Sequence, residues 1–270
     1  MNTNLNMWVR YPHVVDVYFD FEFLDRGHGG LHNISLGAVI AGYKYKKTFY
    51  GLYAPFFQSP EFLSLCNGED SNSEWMLANV LRHITGTVTL GSTHRSGSIS
   101  ELKDLISKPD SKFALALQQT YPIKHSDDSE TPGYDPDLTV VGKDAKIVSV
   151  LKEAIDSCRE DDRGEDNVVR LWTYYGSHDH VAMCNSFGNM MAVPASFQQM
   201  CYDLRLLGEA FGYKHDDLNP NTPHHALSDA IAQYEMTQKL RSLVLWDYGD
   251  KLGLSKFSKD RFDIPKTLEK

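Results

Sequence analysis

Four carboxylates and one histidine, scattered along the chain, are the residues through which this sequence could do chemistry. Asp20 and Glu22 stand two apart in Tyr18-Phe19-Asp20-Phe21-Glu22-Phe23, Asp179 closes Tyr174-Tyr175-Gly176-Ser177-His178-Asp179, and His224 and Asp229 share His224-His225-Ala226-Leu227-Ser228-Asp229. Each acid lies in an otherwise apolar segment, where a charge is costly unless something positive neutralises it. Oxygen-only ligands suit hard cations, Mg²⁺ or Mn²⁺, better than zinc. A histidine beside them adds a proton carrier that titrates near working pH. Together these parts suit two-metal hydrolysis of a phosphodiester.

The elements that must position them are readable in outline. Val14–Phe23 is rich in β-branched and aromatic residues and reads as a strand. Alternation puts Asp20 and Glu22 on one face, about 7 Å apart, with Val15, Val17, Phe19 and Phe21 on the other. A turn at Gly27–Gly30 leads to strands Asn33–Ala41 and Lys47–Tyr53, an antiparallel meander. Helical spacing of Trp75, Leu77, Ala78, Leu81 and Ile84 marks a helix over Glu74–Ile84. Lys124–Asp137 gathers Ser, Asp, Pro and Gly and reads as an exposed loop, followed by an amphipathic helix Ala145–Cys158.

Val168–Tyr175 is the next strand, and Gly176-Ser177 turns it into a helix His178–Phe187. Asp179 then sits near a helix N-terminus, where backbone N–H groups favour an anion. Tyr202–Phe211 reads as a further helix. Thr222 as N-cap with Pro223 behind it announces the last one, Ala226–Leu245. Ala226, Leu227, Ala230 and Ile231 surround Asp229, so that acid faces inward.

A chain of 270 residues with 41% hydrophobic and 23% charged residues has the composition of a soluble globular protein. It has no apolar run long enough to span a bilayer and no signal peptide at its start, so a cytoplasmic protein is the expectation. Cys66, Cys158, Cys184 and Cys201 are far apart, which argues for reduced thiols rather than a zinc site or a disulfide framework. The net charge of −9 speaks against a strong non-specific duplex binder. Thirteen Asp/Glu against five Lys/Arg fall within 125–166, leaving the remainder close to neutral.

The joint pattern resembles the DEDD superfamily of 3′–5′ exonucleases, in its histidine-containing subgroup. Asp20-Phe21-Glu22-Phe23 with Asn33-Ile34-Ser35-Leu36-Gly37, Trp172 through Ala182, and His224 through Ala230 are similar to the RNase AS type of exoribonuclease. The likeness covers roughly residues 14–60 and 168–245. It implies an α/β, ribonuclease H-like fold: a mixed central sheet flanked by helices, one domain over 10–250 with an insertion around 85–165 and a C-terminal tail, 251–270. It also implies two Mg²⁺ or Mn²⁺ ions. Asp20 would bridge both, Glu22 and Asp229 would complete the site of the water-activating ion, and Asp179 would hold the second. His224 would take the proton from the attacking water, and Phe23 would touch the terminal nucleotide. The partner implied is single-stranded nucleic acid, RNA ahead of DNA, with nucleoside 5′-monophosphates as products; relatives of this type can be homodimers.

Alternatives stay open in the sequence. On a continuous helix His225, four residues before Asp229, shares its face, whereas His224 needs a loose first turn to reach it. Single-stranded DNA or short oligonucleotides would suit the same acids. A non-catalytic module binding nucleic acid or protein through the acidic 125–166 segment is the rival of another class. His178-x-His180 is a weak ligand pair, and Tyr174-Tyr175 belongs in a core more often than under a base.

Overall fold

The computed structural model describes residues 13–25, 30–68, 73–84, 98–107, 122–123, 138–159, 168–213 and 223–251. The expected loop 124–137, most of the turn at 27–30, the Thr222 cap and the tail beyond 251 lie outside the described residues. Among the described residues seven strands form one mixed sheet: β1 (Val14–Asp25), β2 (Leu31–Ala41), β3 (Lys46–Tyr53), β4 (Pro122–Ile123), β5 (Leu138–Gly142), β6 (Val168–Thr173) and β7 (Tyr202–Asp203). Their order is β4-β5-β3-β2-β1-β6-β7. The meander β1-β2-β3 is antiparallel as expected, while β6 runs parallel to β1 and β5 parallel to β3. β4 and β5 fall within the span read as an insertion and extend the same sheet.

The helices are α1 (Ala54–Phe57), α2 (Pro60–Asn67), α3 (Ser73–Met76), α4 (Ile99–Ser107), α5 (Asp144–Ser157), α6 (Gly176–Ser186), α7 (Leu204–Ala210) and α8 (Ala226–Lys251). They flank both faces, so the fold is α/β with a mixed sheet between helices, as a ribonuclease H-like architecture requires. Val15, Val17, Phe19 and Phe21 of β1 pack with Ile147, Leu151 and Ile155 of α5 and with Ala182 and Met183 of α6. On the other face Tyr18 packs with Leu227, Ala230 and Ile231 of α8. Each such large side chain taken from water contributes about 1.5–3 kcal/mol. With both faces covered, β1 is a near-continuous apolar run in which every charge must be answered.

Asp16 is answered first. Its register partner on β6 is Arg170. Arg170 donates from Nε to Asp16 Oδ1 (2.7 Å) and from Nη2 to Oδ2 (3.0 Å), Trp172 Nε1 donates to Oδ1 (2.8 Å), and Arg241 Nη2 of α8 donates to Oδ2 (2.6 Å). Burial would raise the Asp16 carboxyl, but the Arg241 and Arg170 charges and these hydrogen bonds outweigh it and hold it below the usual carboxylate range. The pair thus ties two parallel strands to the long helix at the end of β1 remote from Glu22.

Several sequence expectations need correction. Helix Glu74–Ile84 is present, but it is not α-helical throughout: α3 passes into a π-helical stretch, Leu77–Leu81, before a last turn at 82–84. Its inward face is Met76, Val80, Leu81 and Ile84, and Trp75 is 49% exposed. Tyr202–Asp203 is a short strand beside β6 rather than the start of α7. α6 begins at Gly176, two residues early, because the Asp203 carboxylate accepts Gly176 N–H (3.1 Å). The strand before it ends at Thr173, and of the tyrosine pair Tyr174 is buried while Tyr175 is exposed under the Arg205 guanidinium. The cap of α8 is His225, whose Nδ1 accepts Ser228 N–H (3.4 Å), while Pro223 and His224 form a turn ahead of it. α8 also runs to Lys251, past the expected Leu245.

Candidate metal centre

Asp20, Glu22 and Asp229 converge. Asp20 and Glu22 project from the β1 face that α8 covers, and Asp229 lies in the first turn of that helix. One carboxylate oxygen from each lies within 4.8 Å of the others. The helix approaches this closely because Gly37, the register partner of Asp20 on β2, has no side chain. A Cβ there would stand 2.1 Å from the Ala226 carbonyl carbon and 2.1 Å from Leu227 N.

The helix then follows β1 in the reverse direction. Asp229, Gln233, Thr237 and Arg241 recur every four residues and share one face. Twelve residues of helix span about 18 Å, and the six from Glu22 back to Asp16 span about 20 Å of strand. Asp229 therefore meets Glu22 and Asp20, Gln233 Nε2 donates to Asp20 Oδ1 (3.3 Å), and Arg241 reaches Asp16.

Asp179 comes from the opposite helical layer. β6 pairs with β1 only as far as Tyr18↔Trp172, which leaves the next stretch of that β1 edge unpaired by β6. Asp179 fills the place: Oδ1 accepts Phe21 N–H (3.2 Å), and Oδ2 accepts the Thr173 hydroxyl (2.5 Å). It stands outside the three-acid cluster but acts electrostatically on all its members.

The acids raise one another. Burial first, then the charges of Asp179, Asp229 and Glu22, push the Asp20 carboxyl well above the usual range, against a lowering hydrogen bond from Gln233. Burial, Asp229 and Asp179 do the same to Glu22. Burial lifts Asp229 to about 7 although the backbone N–H groups of His224 and His225 donate to it. Asp179 is lifted to about 6, again by burial, against its Thr173 and Phe21 hydrogen bonds. Among the described residues no Lys or Arg pairs with Asp20, Glu22 or Asp229. The donor set is all oxygen, and its span is close to the roughly 4.2 Å that a cation about 2.1 Å from each ligand permits. Asp20, Glu22 and Asp229 are the residues here that could hold a magnesium-like ion.

The two histidines separate clearly. His225 is buried, caps α8 and stacks on Tyr50 with ring centroids 4.8 Å apart. His224 is exposed, sits edge-on to Trp75 (4.9 Å), and has φ 59°. A left-handed backbone costs a side-chain-bearing residue about 1–2 kcal/mol. Phe23, one residue past a register shift in β1, stacks on His178 (6.2 Å) beside Asp179. His180 bonds to Cys201 Sγ (3.1 Å) and Cys184 Sγ (3.7 Å). The His178-x-His180 pair is thus divided between an aromatic stack and a thiol cluster. None of the four cysteines forms a disulfide.

Sequence reasoning missed Gln233, Asp203, Thr173 and the Asp16 network. Only Gln233, one turn after Asp229, carried a spacing signal.

Part of the chain is similar to known exoribonucleases. It is 37% identical over 65 residues to 3′-5′ exoribonuclease Rv2179c of Mycobacterium tuberculosis H37Rv, and to the same degree to 3′-5′ exoribonuclease MT2234.1 of strain CDC 1551. The alignment covers 24% of this chain and 39% of each relative, so the chain spans about two fifths of the length of the curated relatives it matches. No family model matches. No helix among the described residues is long and apolar enough to cross a membrane.

Proposed function

We propose that the chain is a divalent-metal-dependent 3′–5′ exonuclease that shortens single-stranded RNA from its 3′ end, releasing nucleoside 5′-monophosphates. The convergence of Asp20, Glu22 and Asp229, acids from opposite ends of the sequence, within 4.8 Å carries this reading. Three partly buried carboxylates with no cation beside them among the described residues would otherwise be costly. The likeness to histidine-containing DEDD exonucleases, of the RNase AS type, supports adding Asp179 and His224. The exoribonuclease relatives support RNA as the substrate.

Asp20, Glu22 and Asp229 would hold one Mg²⁺ or Mn²⁺, and Asp20 with Asp179 a second. Such ions supply Lewis acidity, making the attacking water more acidic and offsetting charge at the phosphate and leaving oxygen. His224 accepts the proton of the attacking water at its imidazole. Desolvation of its ring by neighbours such as Trp75 lowers its pKa, which favours the neutral form a base requires. His225 is committed to the helix cap and leaves that task to its neighbour. Phe23 offers a ring to the terminal base, and the His178 stack behind it fixes its orientation. Gln233 and the Phe21 and Thr173 hydrogen bonds fix Asp20 and Asp179, so the acids are organised before substrate arrives.

The test incubates 5′-labelled RNA and DNA of equal sequence with Mg²⁺ or Mn²⁺, beside an Asp20→Ala control. A 3′-shortening ladder on RNA, absent from the control, is expected. An equal or exclusive ladder on DNA would move the assignment to single-stranded DNA. No shortening of either strand with either ion would overturn the enzymatic reading.

A further inference from the structure

The β2–β3 hairpin, Gly42-Tyr43-Lys44-Tyr45-Lys46-Lys47, interleaves tyrosines with lysines. It stands in an acidic protein, yet no Asp or Glu occurs between Asp25 and Glu61. Tyr43 is 45% exposed, Tyr45 56%, and Lys44 and Lys46 are exposed beside them. Large rings held in water with like charges between them do not help a hairpin fold. They match a partner that offers planar faces and negative charge together.

The hairpin is held firmly at its base. Gly42 N–H donates to Tyr45 O (2.8 Å), closing the turn. A Cβ on Gly42 would stand 1.9 Å from Cys158 O, so the turn is seated against the end of α5. Lys47 Nζ donates to Ser157 Oγ (2.7 Å) on that side. On the opposite face Lys46 Nζ lies over the Tyr234 ring of α8, 5.2 Å from its centroid. A support anchored on both faces loses little freedom when a ligand binds.

Its place relative to the acids follows from β2. Gly37 lies opposite Asp20, and Tyr43 is six residues further on, about 20 Å along the strand direction. Lys46 is the register partner of Ala41 and occupies the face that α8 covers, the face of the acids.

We infer that this hairpin is a second binding site for single-stranded RNA, in which Tyr43 and Tyr45 stack on bases and Lys44 and Lys46 meet phosphates several nucleotides upstream of the 3′ end. The inference rests on the exonuclease reading of the acidic centre. Stacking on aromatic rings is tolerant of sequence, and lysine contacts to phosphate position without specifying, so the site grips a strand rather than reading it. A strand engaging both places needs on the order of four nucleotides or more. A di- or trinucleotide engages the acids alone.

The experiment compares the parent with Tyr43→Ala/Tyr45→Ala and Lys44→Gln/Lys46→Gln, first confirming unchanged melting temperatures. Fluorescence anisotropy in EDTA measures binding of a 5′-fluorescein RNA 12-mer without cleavage. The tyrosine pair should weaken it by about tenfold or more. The lysine pair should reduce the slope of log affinity against log salt by about 1.4, two contacts at 0.7 each. With Mn²⁺ present, KM for the 12-mer should rise in both variants while that for a trimer of the same 3′ sequence stays at the parent value. Parent-like binding of the 12-mer, or equal losses on 12-mer and trimer, would overturn the inference. A parent that binds the 12-mer through the hairpin but degrades neither RNA would sink the exonuclease reading and leave the hairpin site standing.

Discussion

Gln233 Nε2 stands 3.3 Å from Asp20 Oδ1, one helical turn past Asp229. Gln233 is fully buried, and its hydrogen bond lowers a carboxyl that everything else nearby raises. Gln233→Leu keeps the packing and removes the donor, so protons compete more strongly with cations for Asp20. The Mn²⁺ concentration for half-maximal activity should rise by about tenfold, as expected for losing a hydrogen bond of about 1.5 kcal/mol to a charged group. Overlapping metal titrations of parent and variant would show the amide to be idle.

The acid cluster makes stability depend on pH in a direction opposite to that of most paired carboxylates. Asp229 near 7 and Asp179 near 6 lie above their unfolded value of 3.8. Their contribution is fully present below about pH 4 and is lost as pH rises through 6 to 7. In EDTA the melting temperature should therefore fall between pH 5 and pH 8. Excess Mn²⁺ should recover most of that fall at pH 8 and do little at pH 5. Asp229→Asn should flatten the EDTA profile; a parent profile already flat in EDTA contradicts the crowding described here.

His224→Ala and His225→Ala should fail in different ways. Losing the buried His225 removes a helix cap and the stack on Tyr50, with a stability cost of about 1–2 kcal/mol. His224→Ala should leave melting within about 0.5 kcal/mol of the parent and reduce turnover by about 10²–10⁴. Differential scanning calorimetry and single-turnover rates separate the two. Full turnover in His224→Ala would reassign the base.

Asp16 carries the opposite pH signature. Its carboxyl is held low between Arg170 and Arg241, so its contribution is present above about pH 3.8 and disappears as pH falls through its depressed value. Asp16→Ala leaves two guanidiniums buried against an empty place and should cost about 3–5 kcal/mol. Replacing Asp16, Arg170 and Arg241 together by Leu, Met and Met should recover most of that loss. Urea denaturation of the single and triple variants checks both numbers.

Much of this arrangement was legible in the sequence because it rests on period-two alternation. Asp20 and Glu22 share a face, and Val15, Val17, Phe19 and Phe21 fill the other, as the spacing requires. The strand-to-helix setting of Asp179 was legible too, from Gly176-Ser177 after an apolar run. What escaped depends on which strands become neighbours. Asp16 and Arg170 are partners only once β1 and β6 are paired in register, and no local pattern announces that. Asp203 belongs to a two-residue strand too short to show alternation, yet its carboxylate sets where α6 starts. Trp75 followed the helical spacing but not the packing, because a π-helical stretch shifts the face presented after Met76. The different settings of His224, exposed in a turn, and His225, buried at the helix cap, go with one left-handed backbone angle that side-chain spacing does not encode.

The acidic centre draws its side chains from β1, α6 and α8, and none from β4, β5 or α5. Strand order puts β4 and β5 at the distal margin, two strands and more from β1. Lineages can rebuild that margin, lengthening or trimming the polypeptide that feeds it, without disturbing the acids. Diversity in this architecture should accordingly gather there, as changes in what is docked or recognised.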